Sequence, residues 1–288
     1  LNLTDRLMAM LSLRVDRFQS KGTMNEATNT LVANSKYMQT AVSPKFGLVY
    51  QLIKDQVSLF GNYMNGFSNV TPVTQPVQTG LSGIFKPQHA NQYEGGVKMD
   101  LLQNRLSFTA SYYDIKVDNV TRADQVTVYN KPYNVTYQDG TQLSKGVEFE
   151  LITNPVDGLN IIAGYSHNDS KLTRSTAALE GRRPAAAGPA DLVNGWASYT
   201  LLRGDLRGLG LGFGGNYVGK HLTANSAVTG VFTLPSYTLL NTTVFYDTKW
   251  YRLGVKVDNM TNELYFTGQG VLSAQMPRTV SGNITLKF

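Results

Sequence analysis

The sequence predicts an all-β fold, the wall of an antiparallel transmembrane β-barrel with roughly twelve strands. Three observations lead there. Apolar and polar residues alternate with a period of two along most of the chain. The connections between the alternating segments are short and long by turns. Charged residues stand in mid-strand opposite a continuous apolar face. Composition agrees, because 16 Tyr, 12 Phe and 27 Gly among 288 residues suit strands better than helices.

The first alternation sets Leu7, Ala9, Leu11, Leu13 and Val15 against Met8, Met10, Ser12, Arg14 and Asp16. Phe46, Leu48, Tyr50 and Leu52 then oppose Lys45, Gly47, Val49 and Gln51. Tyr93, Val97, Met99 and Leu101 face away from Glu94, Lys98 and Asp100. Leu106, Phe108, Ala110 and Tyr112 do the same against Arg105, Ser107, Thr109 and Ser111. Val147, Phe149 and Leu151 oppose Glu148 and Glu150. Near the end, Tyr251, Leu253, Val255 and Val257 oppose Arg252, Lys256 and Asp258. Val280, Ile284, Leu286 and Phe288 close the series. Segment 236–246 has a blurred phase and is the least regular.

One stretch, GLGLGFGGNYVG at 208–219, contains the glycine spacing of a dinucleotide-binding turn at Gly210, Gly212 and Gly215. Such a turn opens a helix and has an acidic residue about 20 positions on. Here no helical period follows, and the position in question is Pro235. Leu209, Leu211, Phe213 and Tyr217 instead share one face of a strand whose other face is bare glycine and Asn216.

Short links at 54–55, 103–104, 154–158, 203–207 and 247–249 join pairs of strands; longer polar stretches at 19–40, 68–90, 122–141, 172–190, 220–235 and 262–276 separate the pairs. A soluble sandwich also alternates, but its turns need not sort by length. A membrane barrel needs short turns on one side, an apolar exterior and a polar lumen. The lumen accounts for Lys98, Asp100, Glu148 and Glu150 in mid-strand and for a mean hydropathy of only −0.20. Tyr63, Tyr112, Tyr165, Tyr217 and Trp250, near strand ends, suit interfacial girdles. The last strand runs from a long loop to Phe288, which puts the C-terminus on the short-turn side, and an even strand count puts residue 1 there too.

Absences narrow the function. No run of 18 apolar residues exists, so a transmembrane helix is excluded. Lacking cysteine, the chain has no disulfide, thiolate metal site or Cys nucleophile. A scattered net charge of +6 is too weak to argue for nucleic acid. His89, His167 and His221 show no metal-ligand spacing. The run His167-Asn168-Asp169-Ser170 forms no triad by itself, because neighbours on a strand point to opposite faces. The reading is therefore not an enzyme, with no cofactor. Asn-x-Ser/Thr sequons, as at Asn69 and Asn119, reflect β-rich composition. Starting at Leu1 without an initiator Met or signal peptide, the chain is expected to be a mature or truncated product.

Several segments resemble TonB-dependent siderophore receptors of the Gram-negative outer membrane. Ser43 to Gln51 followed by Val57 to Tyr63 looks like one of that family's strand pairs. Phe85-Lys86-Pro87 with Tyr93-Glu94-Gly95-Gly96-Val97-Lys98 is similar to its "KPE…YEVGVK" segment, and Gly146-Val147-Glu148-Phe149-Glu150 to its "GVEIE". Tyr217-Val218-Gly219 and Leu234-Pro235-Ser236-Tyr237-Thr238 match "YVG…LPSYT". Val257 to Tyr265 follows "VxNLFDKxY", departing at Met260 and Thr261. Pro277-Arg278 and Phe288 resemble the closing strand, whose last aromatic is an assembly signal for the barrel-assembly machinery.

The resemblance implies a barrel of about 22 strands, filled by an N-terminal plug that carries the TonB box. The whole chain, 1–288, reads as the C-terminal portion of such a barrel, about its last twelve strands, with neither plug nor box. A smaller barrel of the same sequence type is the alternative. The implied activity is import of ferric siderophore, with iron as cargo. TonB and its inner-membrane complex supply the energy through the part not present. Outer-membrane lipids and lipopolysaccharide are the surroundings. Import of cobalamin, an oligosaccharide or another metal chelate, and passive diffusion, are the alternatives.

Candidate cargo contacts are aromatics in or beside long loops, Phe67, Phe85, Tyr129, Tyr133, Tyr137 and Phe232, whose rings supply stiff contact area. The same rings also suit loops that pack on themselves. Loop 171–183, with Lys171, Arg174, Arg182 and Arg183 against Glu180, is cationic and suits an anionic chelate or lipopolysaccharide phosphates.

Overall fold

Alternation becomes architecture when strands pair in register, because pairing fixes which residues of neighbouring strands share a face. The computed structural model describes residues 1–25, 27–28, 30–32 and 34–288; Glu26, Asn29 and Ala33, inside the segment read as loop 19–40, lie outside the described residues. Twelve long strands form one sheet: β1 (Leu7–Lys21), β2 (Lys36–Ile53), β3 (Val57–Ser68), β4 (Gln88–Leu101), β5 (Leu106–Val128) and β6 (Lys131–Thr153). They continue as β7 (Leu159–Arg174), β8 (Asp191–Thr200), β9 (Leu209–Val218), β10 (Tyr237–Asp247), β11 (Tyr251–Asp258) and β12 (Thr279–Leu286). Sheet order equals chain order, every neighbour is antiparallel, and β1 and β12 form the two edges of an unclosed barrel wall.

Register carries the two-faced pattern from strand to strand. Leu7, Tyr50, Leu59, Val97, Ala110, Phe149, Tyr165, Val193 and Tyr217 sit opposite one another in sequence across nine strands. One residue along, the matching row reads Gln51, Ser58, Lys98, Thr109, Glu150, Gly164, Asn194 and Asn216. The polar row belongs to the concave side, where residues from β2 to β8 line a hollow of about 610 Å³.

Exposure separates barrel from sandwich. In a sandwich the apolar rows are buried between two sheets. Here Tyr50 and Leu59 are each 44% exposed, and only Ala41, Val70, Phe85, Val135 and Leu234 form the buried apolar set among the described residues. A continuous greasy exterior of this extent is unfavourable in water at about 25 cal/mol per Å² and is stable against hydrocarbon.

The glycine strand is β9. A Cβ on Gly210 would lie 2.1 Å from the ring of Phe245, and one on Gly212 would lie 2.5 Å from Trp196. The bare face therefore exists so that inward rings on β8 and β10 can lie across it. Phe245, carried under the guanidinium of Arg252 at 4.3 Å, also explains the blurred phase of 236–246: an aromatic stands on the polar side.

Four long connections differ from their reading as plain loops, and in 19–40 Met24–Asn25 pairs with Thr30–Leu31. Segment 122–141 is the outer half of a hairpin in which β5 and β6 run on, past bulges near Val120, to a tip at Tyr129-Asn130. Segments 221–234 and 266–274 each contain a small hairpin. Polar strand residues without an apolar face give no period-two signal, so the sequence hides them.

Candidate functional site

Two zones of the inner wall and the mouth above them form the site. The lower zone is acidic. Glu94, Glu148 and Glu150 share the hollow with Lys98, and Glu94 accepts hydrogen bonds from Asn62 Nδ2 at 3.3 Å and Gln92 Nε2 at 3.2 Å. Lys98 Nζ lies 5.4 Å from the Phe60 ring centroid, a cation–π contact. Alternation puts these groups in mid-strand, and the neighbouring Gly96 and Gly146 leave room for the rings of Phe60 and Tyr113. The upper zone is a cavity of about 370 Å³ bounded by β1 to β4, with Arg14, Ser43, Lys45, Phe67 and Gln92 in its lining.

The mouth is tied by glutamines. Segment 69–87 folds back over the inner side of β2, where Gln39, only 4% exposed, donates to the carbonyls of Val70 at 2.8 Å and Phe85 at 3.0 Å. Gln75 bonds both backbone groups of Thr136, and Gln138 both of Lys86. The segment is thus strapped between β2 and the β5–β6 hairpin. On that hairpin Arg122 Nε donates to Asp139 at 2.6 Å, and Arg174 reaches the same carboxylate at 2.7 Å. The Arg122 hydrogen bond holds the Asp139 carboxyl below the usual range, and the Arg122 guanidinium is correspondingly harder to deprotonate.

A second tie joins the β7–β8 and β9–β10 connections. Arg182 donates to Asn225 Oδ1 at 2.9 Å, Asn225 Nδ2 donates to the Arg183 carbonyl at 2.9 Å, and the Ala227 amide to Ala178 at 2.8 Å. Arg183 donates to the carbonyls of Asn168, Ala187, Gly188 and Pro189 and to the Asn168 side chain. Desolvation lowers its pKa. The cations of loop 171–183 are therefore engaged within the protein: Lys171 faces Asp169 at 3.8 Å, Arg174 faces Asp139, and Arg183 is satisfied by carbonyls. The loop stays cationic, because Arg182 and Arg183 bond only neutral acceptors, and folding fixes where its charges point.

The candidate aromatics separate. Tyr129 is 91% exposed at the hairpin tip and Phe232 is 54% exposed on its small hairpin. Tyr133 is half-buried on β6, and Tyr137 lies under Arg122 at 5.0 Å. Phe67 lines the upper cavity with Arg14 at 5.8 Å, whereas Phe85 belongs to the strapped segment itself and is buried. Phe288 is fully exposed. His167 Nδ1 is 2.7 Å from Asp191 and shares it with Tyr165; no serine joins them among the described residues. Arg14, Lys45 and the three glutamines escaped sequence reading, since no local pattern marks a strand residue that meets a distant loop.

A curved antiparallel sheet with a greasy outer face, a charged inner face and strapped loops at one end defines the class: the wall of a transmembrane β-barrel. The family model "TonB dependent receptor-like, beta-barrel" matches residues 1–260, and the chain belongs to that family. It is 27% identical to the metal-pseudopaline receptor of Pseudomonas aeruginosa over the full chain and 40% of that receptor. It is 30% identical to the ferrioxamine B receptor of Salmonella typhimurium over 86% of the chain and 34% of the receptor. The crystal structure of the Pseudomonas aeruginosa ferripyoverdine receptor superposes with a TM-score of 0.76 at 22% identity, covering 99% of this chain and 37% of that one. The chain thus spans well under half the length of these relatives.

Proposed function

We propose that this chain forms part of the wall and mouth of an outer-membrane receptor that imports a ferric siderophore, energised by TonB. The observation that carries the reading is the pair of rows, apolar outside and polar inside, within a chain of this family. Relatives named for ferrioxamine B and ferric-pyoverdine support iron chelates as cargo. The exposed rings of Tyr129 and Phe232 offer first contacts at the mouth, and Phe67 a deeper one. The wall performs no bond chemistry; its work is capture and passage. A deletion strain tested for growth on single ferric chelates decides the matter: loss of growth on at least one, restored by the gene and not by a TonB-uncoupled version, is expected. Unchanged growth on every chelate refutes iron import.

A second reading has its own observation. Similarity to a receptor named for metal-pseudopaline runs through the full chain, as does similarity to a ferric-pyoverdine receptor, and supports a metal chelate whose metal need not be iron. Uptake of radiolabelled zinc, nickel or cobalt chelates by the same strains separates the two.

A further inference from the structure

We propose that the upper cavity bounded by β1 to β4 is a cargo subsite that takes the anionic, oxygen-bearing part of the chelate, with Lys45 as its principal charge contact. This rests on the receptor reading above and adds the location and the sign of charge. Lys45 shares the face of Val49, which lines the hollow below, and so points to the interior. It is exposed and makes no ion pair among the described residues. Arg14, on the neighbouring strand, is held by Asp16 through contacts of 2.6 and 2.8 Å, which fix its guanidinium 5.8 Å from the Phe67 ring centroid. Ser43, paired in register with Arg14 and only 4% exposed, has a hydroxyl with no partner in the chain among the described residues. An unpaired ammonium, an oriented guanidinium, a donor hydroxyl and an aromatic face form a set that suits negatively charged oxygens on an organic frame.

The floor sharpens the assignment. Glu94, Glu148 and Glu150 outnumber Lys98 on the same inner face, so negative charge is favoured beside Lys45 and disfavoured deeper in the hollow. A cationic chelate meets the opposite gradient. The cavity therefore discriminates by sign as well as shape.

The test uses the purified full-length receptor in detergent, titrated with a ferric tris-catecholate (anionic), ferric pyoverdine (carboxylate-bearing) and ferrioxamine B (cationic). Lys45→Gln is expected to weaken the anionic chelates roughly tenfold or more and to flatten their salt dependence, leaving ferrioxamine B within about twofold. Lys45→Arg is expected to keep most of the affinity. Lys45 is exposed in this part of the wall, and an unchanged thermal melt of the full-length variants checks that neither substitution disturbs the fold. Anionic binding by Lys45→Gln within about twofold of wild type overturns the subsite and leaves the receptor reading intact. So does a wild-type receptor that takes ferrioxamine B alone. A wild-type receptor that binds none of the probes refutes the receptor reading for these chelates, and the subsite with it.

Discussion

Two glycines on distant strands of the same wall, Gly214 on β9 and Gly61 on β3, separate steric necessity from mere absence of a side chain. A Cβ on Gly214 would lie 2.2 Å from the carbonyl oxygen of Gly195 and 2.7 Å from Trp196 Cα, against the 3.4 Å at which ordinary contact begins. The obstacle is backbone, so Gly214→Ala must push β8 and β9 apart by about 1 Å, enough to stretch the ladder bonds there. Overpacking of this kind costs about 1–3 kcal/mol. On Gly61 the nearest atom is 3.9 Å away, so Gly61→Ala meets no clash and restricts the unfolded chain, worth about 0.4–1 kcal/mol of stabilisation. Guanidinium unfolding of the full-length receptor, followed by tryptophan fluorescence, reports both. With a slope of about 4–6 kcal/mol/M, Gly214→Ala lowers the midpoint by roughly 0.2–0.7 M, while Gly61→Ala leaves it or raises it. Equal midpoints for the two variants would refute the claim that β9 is bare because its neighbours occupy the space.

Gln39→Ala leaves the carbonyls of Val70 and Phe85 without their buried donor, at about 1–3 kcal/mol, and frees the strap; limited proteolysis within 69–87 is expected to speed up, and unaltered cleavage contradicts the strap. Asp139 has a folded-state pKa below its unfolded value near 4, so the clamp with Arg122 and Arg174 is whole above about pH 4 and is lost as pH falls through the depressed pKa. A spin label at position 129 is expected to be restrained at neutral pH and mobile only in acid, whereas in Asp139→Asn it is mobile throughout; identical spectra count against the clamp. Tyr129→Ala, at a tip with 91% exposure, is expected to leave stability within about 0.5 kcal/mol. Any loss in chelate affinity from that change then reports contact rather than misfolding.

The strands, their faces and the sorting of turns were legible because each depends on a local rule. A strand with one oily and one wet side must alternate, and that period survives in the sequence at Leu106–Tyr112 and Val147–Leu151. The family was legible because its motifs lie in short contiguous runs such as Tyr93 to Lys98. What only the tertiary structure decided involves residues far apart in the chain. Gln39 meets Phe85, Gln75 meets Thr136, and Arg182 meets Asn225. Loop 171–183 reads as cationic because charge can be counted, but whether those cations are free depends on carbonyls and carboxylates brought near by folding. Hydrophobic periodicity is a property of neighbours along the strand, whereas a buried hydrogen bond is a property of neighbours in space; the sequence records the first directly and the second only through the fold.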